Sequence, residues 1–150
     1  KVRGRFRDVS GVVVIGDDPR DSTVEVTIGM ASVDSGDQTR DDHLRSADLF
    51  DVEQFPLATY RGRVASLAGK RATVHGELTL KGVTRPVDLD VEYLGAVADP
   101  WGGERAIYSA SATINREDWG ITWNMVLETG GLLVSKEIRL ELELETVRER

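Results

Sequence analysis

A chain of 150 residues, 40% hydrophobic and 30% charged, is long enough for one domain around a single core, and none of its apolar runs approaches the length of a membrane-spanning helix. A formal net charge of -7 and a pI near 4.9 act against binding nucleic acid or an anionic membrane, because neutralising phosphates takes clustered Lys and Arg. The absence of cysteine excludes disulfides, thiolate nucleophiles and thiolate metal sites and leaves the redox compartment open.

Through most of the chain apolar side chains recur at every second position, the spacing of a strand with one dry face and one wet face. Residues 2–7 and 11–15 read as two short strands around Ser10-Gly11, expected to pair as a hairpin, and Asp17-Asp18-Pro19 makes a turn. In residues 23–31, Val24, Val26, Ile28 and Met30 alternate with Thr23, Glu25 and Thr27, and the polar stretch 32–38 reads as a loop. Residues 39–50 are the helix candidate. Leu44 and Ala47 are three apart, Thr39 with Asp41 and Asp42 supplies a cap and first-turn acids, and Pro56 stops the helix.

From residue 58 the strand rhythm returns, with Tyr60, Gly62 and Val64 on one face and Thr59, Arg61 and Arg63 on the other. A turn at 67–70 leads into Val74, Gly76, Leu78 and Leu80, and Lys81-Gly82 turns again before Val87, Leu89, Val91 and Tyr93, with Asp88, Asp90 and Glu92 opposite. Residues 95–104 read as a longer loop, followed by a strand carrying Tyr108, Ala110, Ala112 and Ile114. Trp119, Gly120 and Trp123 fall in a less regular stretch before Gly130-Gly131. The last strand alternates Ile138, Leu140, Leu142 and Leu144 with Glu and Arg. Serial strands, tight turns and one short helix predict an all-β domain, an antiparallel meander closed into a barrel. With about eight strands such a barrel is filled by its own side chains or holds one small ligand.

No G-x-S-x-G, HExxH, P-loop or Rossmann pattern is present. His43 and His75 stand on different segments without ligand spacing, and His43 reads as a hydrogen-bonding anchor for the helix. Glu141, Glu143 and Glu145 share a strand face opposite Ile and Leu, which reads as a solvated face. No catalytic residue, metal or cofactor is expected. The candidate binding residues are the inward stripe Val26, Ile28, Met30, Tyr60, Val64, Leu78, Leu80, Leu89, Val91, Tyr108 and Ile114, with Trp119 lining the cavity or plugging its bottom. Among them the small Gly62, Gly76, Ala110 and Ala112 are expected to leave room for an apolar guest. The alternative is that the stripe only packs against itself.

Four spaced motifs narrow the choice. They are Arg40-Asp41-Asp42-His43-Leu44, then Asp48-Leu49-Phe50-Asp51, then Gly76-Glu77-Leu78-Thr79-Leu80-Lys81-Gly82-Val83-Thr84, and finally Arg116 with Asp118-Trp119-Gly120. In this order they resemble the YceI-like family. The resemblance implies a lipocalin-like barrel whose apolar interior holds an isoprenoid-type lipid, with a polyprenyl or quinone-like tail, for sequestration or transport. Arg40, Arg45, Lys81, Arg85 and Arg116 flank the motifs and are the candidate donors to a lipid head group. The alternatives are an enzyme acting on an apolar substrate in the same cavity, or a packed barrel acting through a protein partner.

Family members usually begin with a strand carrying a His-Ser pair, whereas this sequence opens on the Lys1-Val2-x-Gly4-x-Phe6 segment that follows it, which would leave an unpaired edge and a route to a homodimer. The sequence begins without Met, and the expected compartment is the cytoplasm, a secreted or periplasmic protein with its signal removed being the alternative.

Overall fold

The alternation of apolar and polar side chains becomes one antiparallel sheet of seven strands in a computed structural model that describes residues 3–98, 100–124 and 135–147. The strands are β2 (Val9–Val14), β3 (Thr23–Gly29), β5 (Leu57–Ala68), β6 (Arg71–Leu80), β7 (Val83–Ala98), β8 (Glu104–Asn115) and β9 (Glu137–Val147), neighbours in that order. Residues paired across a ladder share a face. Val26 pairs with Tyr60 and Tyr60 with Leu78, Val74 with Leu89, Val91 with Ala110, and Ala110 with Leu142, so the apolar set of every strand gathers on one side. The sheet curls around that side as a half-barrel.

Closure is not made among the described residues. β2 and β9 each have one neighbour. The expected hairpin of residues 2–7 and 11–15 is also corrected. β1 (Arg5–Phe6) leaves the sheet to pair with β4 (Val33–Asp34), while β2 pairs with β3. The reason lies in distant contacts: Phe6 tilts onto Phe50 at 6.0 Å, and Gly29 N–H donates to the Asp8 carbonyl, so the chain turns away between the two short strands.

The helix begins one residue earlier and ends sooner than its sequence suggests. In α1 (Gln38–Arg45) the cap is Asp37, whose carboxylate accepts from Arg40 N–H, and not Thr39. Ser46 stops it in extended backbone, its hydroxyl donating to the His43 carbonyl at 2.6 Å, ten residues before Pro56. Tight turns then carry Leu49 back into the core. β3 likewise ends at Gly29, where a 3-10 turn, Met30–Ser32, takes over. The 95–104 loop shrinks, because β7 and β8 continue through half of it as paired strands.

Antiparallel order gives the half-barrel two unlike ends. At one end β2, β5 and β7 turn back through short connections. At the other lie α1 and the turns after it, the Lys81-Gly82 turn and the 3-10 turn Arg116–Trp119. Lys81 and Gly82 both take positive φ, 50° and 76°, the conformation a two-residue hairpin requires. Met30, Leu49, Leu80, Trp119 and Ile121 are buried at this second end and plug it.

Candidate functional site

The concave face is built from the inward stripe, and the structure brings that stripe together. Val26, Met30, Tyr60, Leu78, Leu80, Leu89, Ile114 and Trp119 are buried in one cluster, against which the half-buried Ile28, Val64 and Val91 pack. Tyr108 stands apart from the cluster toward the opposite end, half-buried and tilted against Tyr93 with ring centroids 5.4 Å apart. Sequence reasoning left out Ala58, Val74, Val87, Leu49 and Ile121. Val74 and Val87 carried the same two-residue signal as the stripe, whereas Leu49 and Ile121 lie in irregular segments with no periodicity to betray them.

Gly62 and Gly76 do not leave room for a guest, which corrects the expectation. Tyr60 lays its ring across both: a Cβ on Gly76 would come within 2.4 Å of the ring, and one on Gly62 within 2.6 Å of Val74. The glycines are small because the tyrosine occupies their space. Its hydroxyl donates to the Val87 carbonyl at 2.8 Å, and burial, with the Asp88 charge adding to it, pushes its pKa up to about 12. Tyr108 is raised too, first by burial and then by Tyr93. Tyr60 and Tyr108 therefore stay neutral near pH 7. Trp119 is a plug, with its indole N–H donating to the Leu78 carbonyl at 2.9 Å.

The candidate head-group donors all collect at the plugged end, where each is tied to backbone or to a neighbouring side chain. Arg45 donates to the carbonyls of Ala31 and Val33 at 2.9 and 3.0 Å, clamping α1 onto the Met30–Ser32 turn. Arg40 holds Ser35 through its hydroxyl and its carbonyl, and the buried Asp41 accepts from the Ser35 N–H and hydroxyl. Lys81 reaches the Ala47 carbonyl and Arg85 the Asp118 carbonyl, both at 3.1 Å.

Arg116 is 2% exposed and donates to the carbonyls of Ser135, Ile121 and Trp123 at 2.7–2.9 Å. Its role as a head-group donor is corrected: buried among carbonyls, it braces the connection after β8. His43 is the anchor expected of it, hydrogen-bonded to Asp48 at 3.1 Å and set edge-on to Trp123 at 4.4 Å.

The outer face is charged. A shallow cleft of about 520 Å³ runs past Glu25, Arg61, Arg63, His75 and Glu77, and a smaller one of about 160 Å³ lies at Ser66, Arg71, Thr73 and Asp90. Glu143 and Glu145 stand in solvent on β9, with Arg105 reaching Glu145 at 3.2 Å. Among the described residues there is no group of three or more His, Asp or Glu side chains able to hold a metal ion. None of their helices is long and apolar enough to cross a membrane.

Comparison with known proteins agrees with this architecture. A family model described as the YceI-like domain matches residues 1–146. A UPF0312 protein of Pseudomonas paraeruginosa is 39% identical over 97% of this chain and 74% of its own length. Protein YceI of Salmonella newport is 36% identical over 98% of this chain and 74% of its own. Among solved structures, the Campylobacter jejuni YceI protein superposes with a TM-score of 0.87 at 28% identity, covering 100% of this chain and 86% of that one. Burkholderia cenocepacia BcnA shares the fold, with a TM-score of 0.81 at 23% identity over 95% of this chain and 86% of its own.

Proposed function

This chain belongs to the YceI-like domain family, and we propose that it binds the apolar tail of an isoprenoid-type lipid, polyprenyl or quinone-like, along its concave face, without covalent chemistry. One observation carries the reading: past the buried cluster the apolar face continues in residues that are only partly covered. At the plugged end Met30, Leu80, Trp119 and Ile121 are buried. Toward the opposite end the same face continues through Val64, Val91, Tyr108, Leu142 and Leu144, all half-buried. That stretch is where a hydrocarbon tail completes the packing.

Burying a methylene contributes about 0.8 kcal/mol, so six of them supply roughly 5 kcal/mol before the cost of ordering the tail is subtracted. The attraction is non-directional, and tail length and groove shape select the guest more than hydrogen bonds do. With the plugged-end cations holding protein groups, the head group lies toward the opposite end.

The test is organic extraction of freshly purified protein followed by mass spectrometry, with uptake of a polyprenyl alcohol measured in parallel. Leu144 pairs with Tyr108 on the partly covered stretch, so Leu144→Glu places a charge there and is expected to lower uptake about tenfold or more, with folding checked by circular dichroism. An extract free of lipid together with no uptake overturns the reading, and recovery of chemically altered lipid would replace it with an enzyme.

A further inference from the structure

β7 and β8 run on past the β5–β6 hairpin and, with β9 beside them, form the longest arm of the sheet. At the root of this arm Tyr93 pairs with Tyr108, and Tyr108 with Leu144. Register sets the side they occupy. Ala110 is buried in the core cluster, Val91 pairs with it, and the two tyrosines stand two residues further along the same strands. They therefore face the concave side, half-buried and outside the cluster, with ring centroids 5.4 Å apart and planes tilted by 52°.

The layer beyond the tyrosines is made of short side chains. β7 bulges between Tyr93 and Gly95, whose φ is 134°, and the pairing resumes so that Ala96 meets Ala106 and Ala106 meets Thr146. These three continue the concave side past Tyr108 and Leu144, and the phenols beside them remain only partly covered. Their hydroxyls differ from that of Tyr60, which is spent on the Val87 carbonyl. Neither Tyr93 nor Tyr108 has a hydrogen-bond partner for its hydroxyl among the described residues, and neither oxygen is sealed from the surface. Two accessible phenol donors where the apolar stripe ends suit an oxygen acceptor at the end of a hydrocarbon tail.

Charge narrows the kind of acceptor. Arg71 and Arg105 lie close to the pair in register but on the outer face, held by Glu92 at 2.7 Å and Glu145 at 3.2 Å. On the concave side the next charge toward the tip of the arm is Glu104, opposite Ala98, and it is an acid. An anionic head on the tyrosines would meet that carboxylate, while an uncharged oxygen meets two donors. The cation an anionic head would turn to is Lys70, exposed in the hairpin turn, where its carbonyl accepts from the Tyr93 N–H at 2.8 Å.

We propose that Tyr93 and Tyr108 form the head-group subsite of the concave face and select an uncharged oxygen, an alcohol hydroxyl or a ring carbonyl, over a diphosphate, an assignment that rests on the reading of that face as a lipid site. Packing reads the tail, and the two phenols read the head by hydrogen bonds.

The experiment measures displacement of N-phenyl-1-naphthylamine, an uncharged fluorescent probe, from the full chain by geranylgeraniol, by geranylgeranyl diphosphate and by the corresponding hydrocarbon without a head group. The wild type is expected to bind the alcohol about tenfold tighter than either of the other two. The double variant Tyr93→Phe, Tyr108→Phe keeps both rings and removes both donors. It should bring the alcohol-to-hydrocarbon ratio from about ten to about one, with folding checked by circular dichroism.

Equal affinity of the wild type for alcohol and hydrocarbon overturns the subsite, and so does a ratio indifferent to the two phenylalanines. Tighter binding of the diphosphate that Lys70→Ala removes also overturns it and gives the head group to the rim of the hairpin. In each of these cases the tail still binds, and the concave-face reading stands. Failure of the probe and of all three guests to bind overturns that reading and the subsite with it.

Discussion

Tyr60 sets the depth of the concave face because its ring occupies the space above Gly62 and Gly76, and its hydroxyl satisfies the Val87 carbonyl. Tyr60→Phe keeps the ring and removes the donor, and should cost about 1 kcal/mol in urea denaturation. The pH dependence has a definite sign. A phenol with a folded pKa near 12, above its ordinary 10, favours folding while protonated. Its contribution is complete below about pH 10 and is lost as pH rises toward 12. The phenylalanine variant should therefore show a shallower fall in stability between pH 10 and 12, measured as melting temperature against pH. An identical slope in both proteins would show that the buried phenol is not what titrates.

Helix α1 at the plugged end is held by polar side chains more than by apolar burial of its own. In α1 only Asp41 is fully buried; Leu44 is half-buried, and the helix is fixed by Arg45 on two carbonyls and by the Asp41–Ser35–Arg40 cluster. The helix residues Arg40, Asp41 and Arg45 thus tie backbone together at this end. The cap supplies a sharp test of element boundaries. Asp37→Ala should lower stability by about 1 kcal/mol, whereas Thr39→Ala, a change within the first turn, should leave it within about 0.5 kcal/mol. Equal losses from the two substitutions would mean that the cap is not at Asp37.

On the scale of the whole molecule the two edges of the sheet differ. β9 alternates Glu137, Arg139, Glu141, Glu143 and Glu145 with its apolar residues, a charged border that resists edge-to-edge pairing. β2 reads Val-Ser-Gly-Val-Val-Val, without a charge, and Val9, Val12 and Val14 are exposed along it. Self-association of the described fold should accordingly run through β2. Val12→Lys, on the outer face, should shift sedimentation toward the monomer at high protein concentration with little change in melting temperature. A concentration dependence untouched by that lysine would place any contact between copies elsewhere.

Much of this protein was settled locally. Alternation fixed which side of each strand is dry, since side-chain direction on a strand is set by the pleat alone, and the Gly69-Lys70 and Lys81-Gly82 turns fell where their residues allow positive φ. The four spaced motifs sufficed to indicate the family. What the chain could not disclose by itself depended on partners distant in sequence. The pairing of β1 with β4, the filling of two glycine positions by Tyr60, the burial of Arg116 among carbonyls and the length of the β7–β8 arm each require residues that meet only when the sheet curls. A period of two tells which way a side chain points. What stands in front of it is decided by packing between elements, and that is why the face was legible in the sequence and the shape of its groove was not.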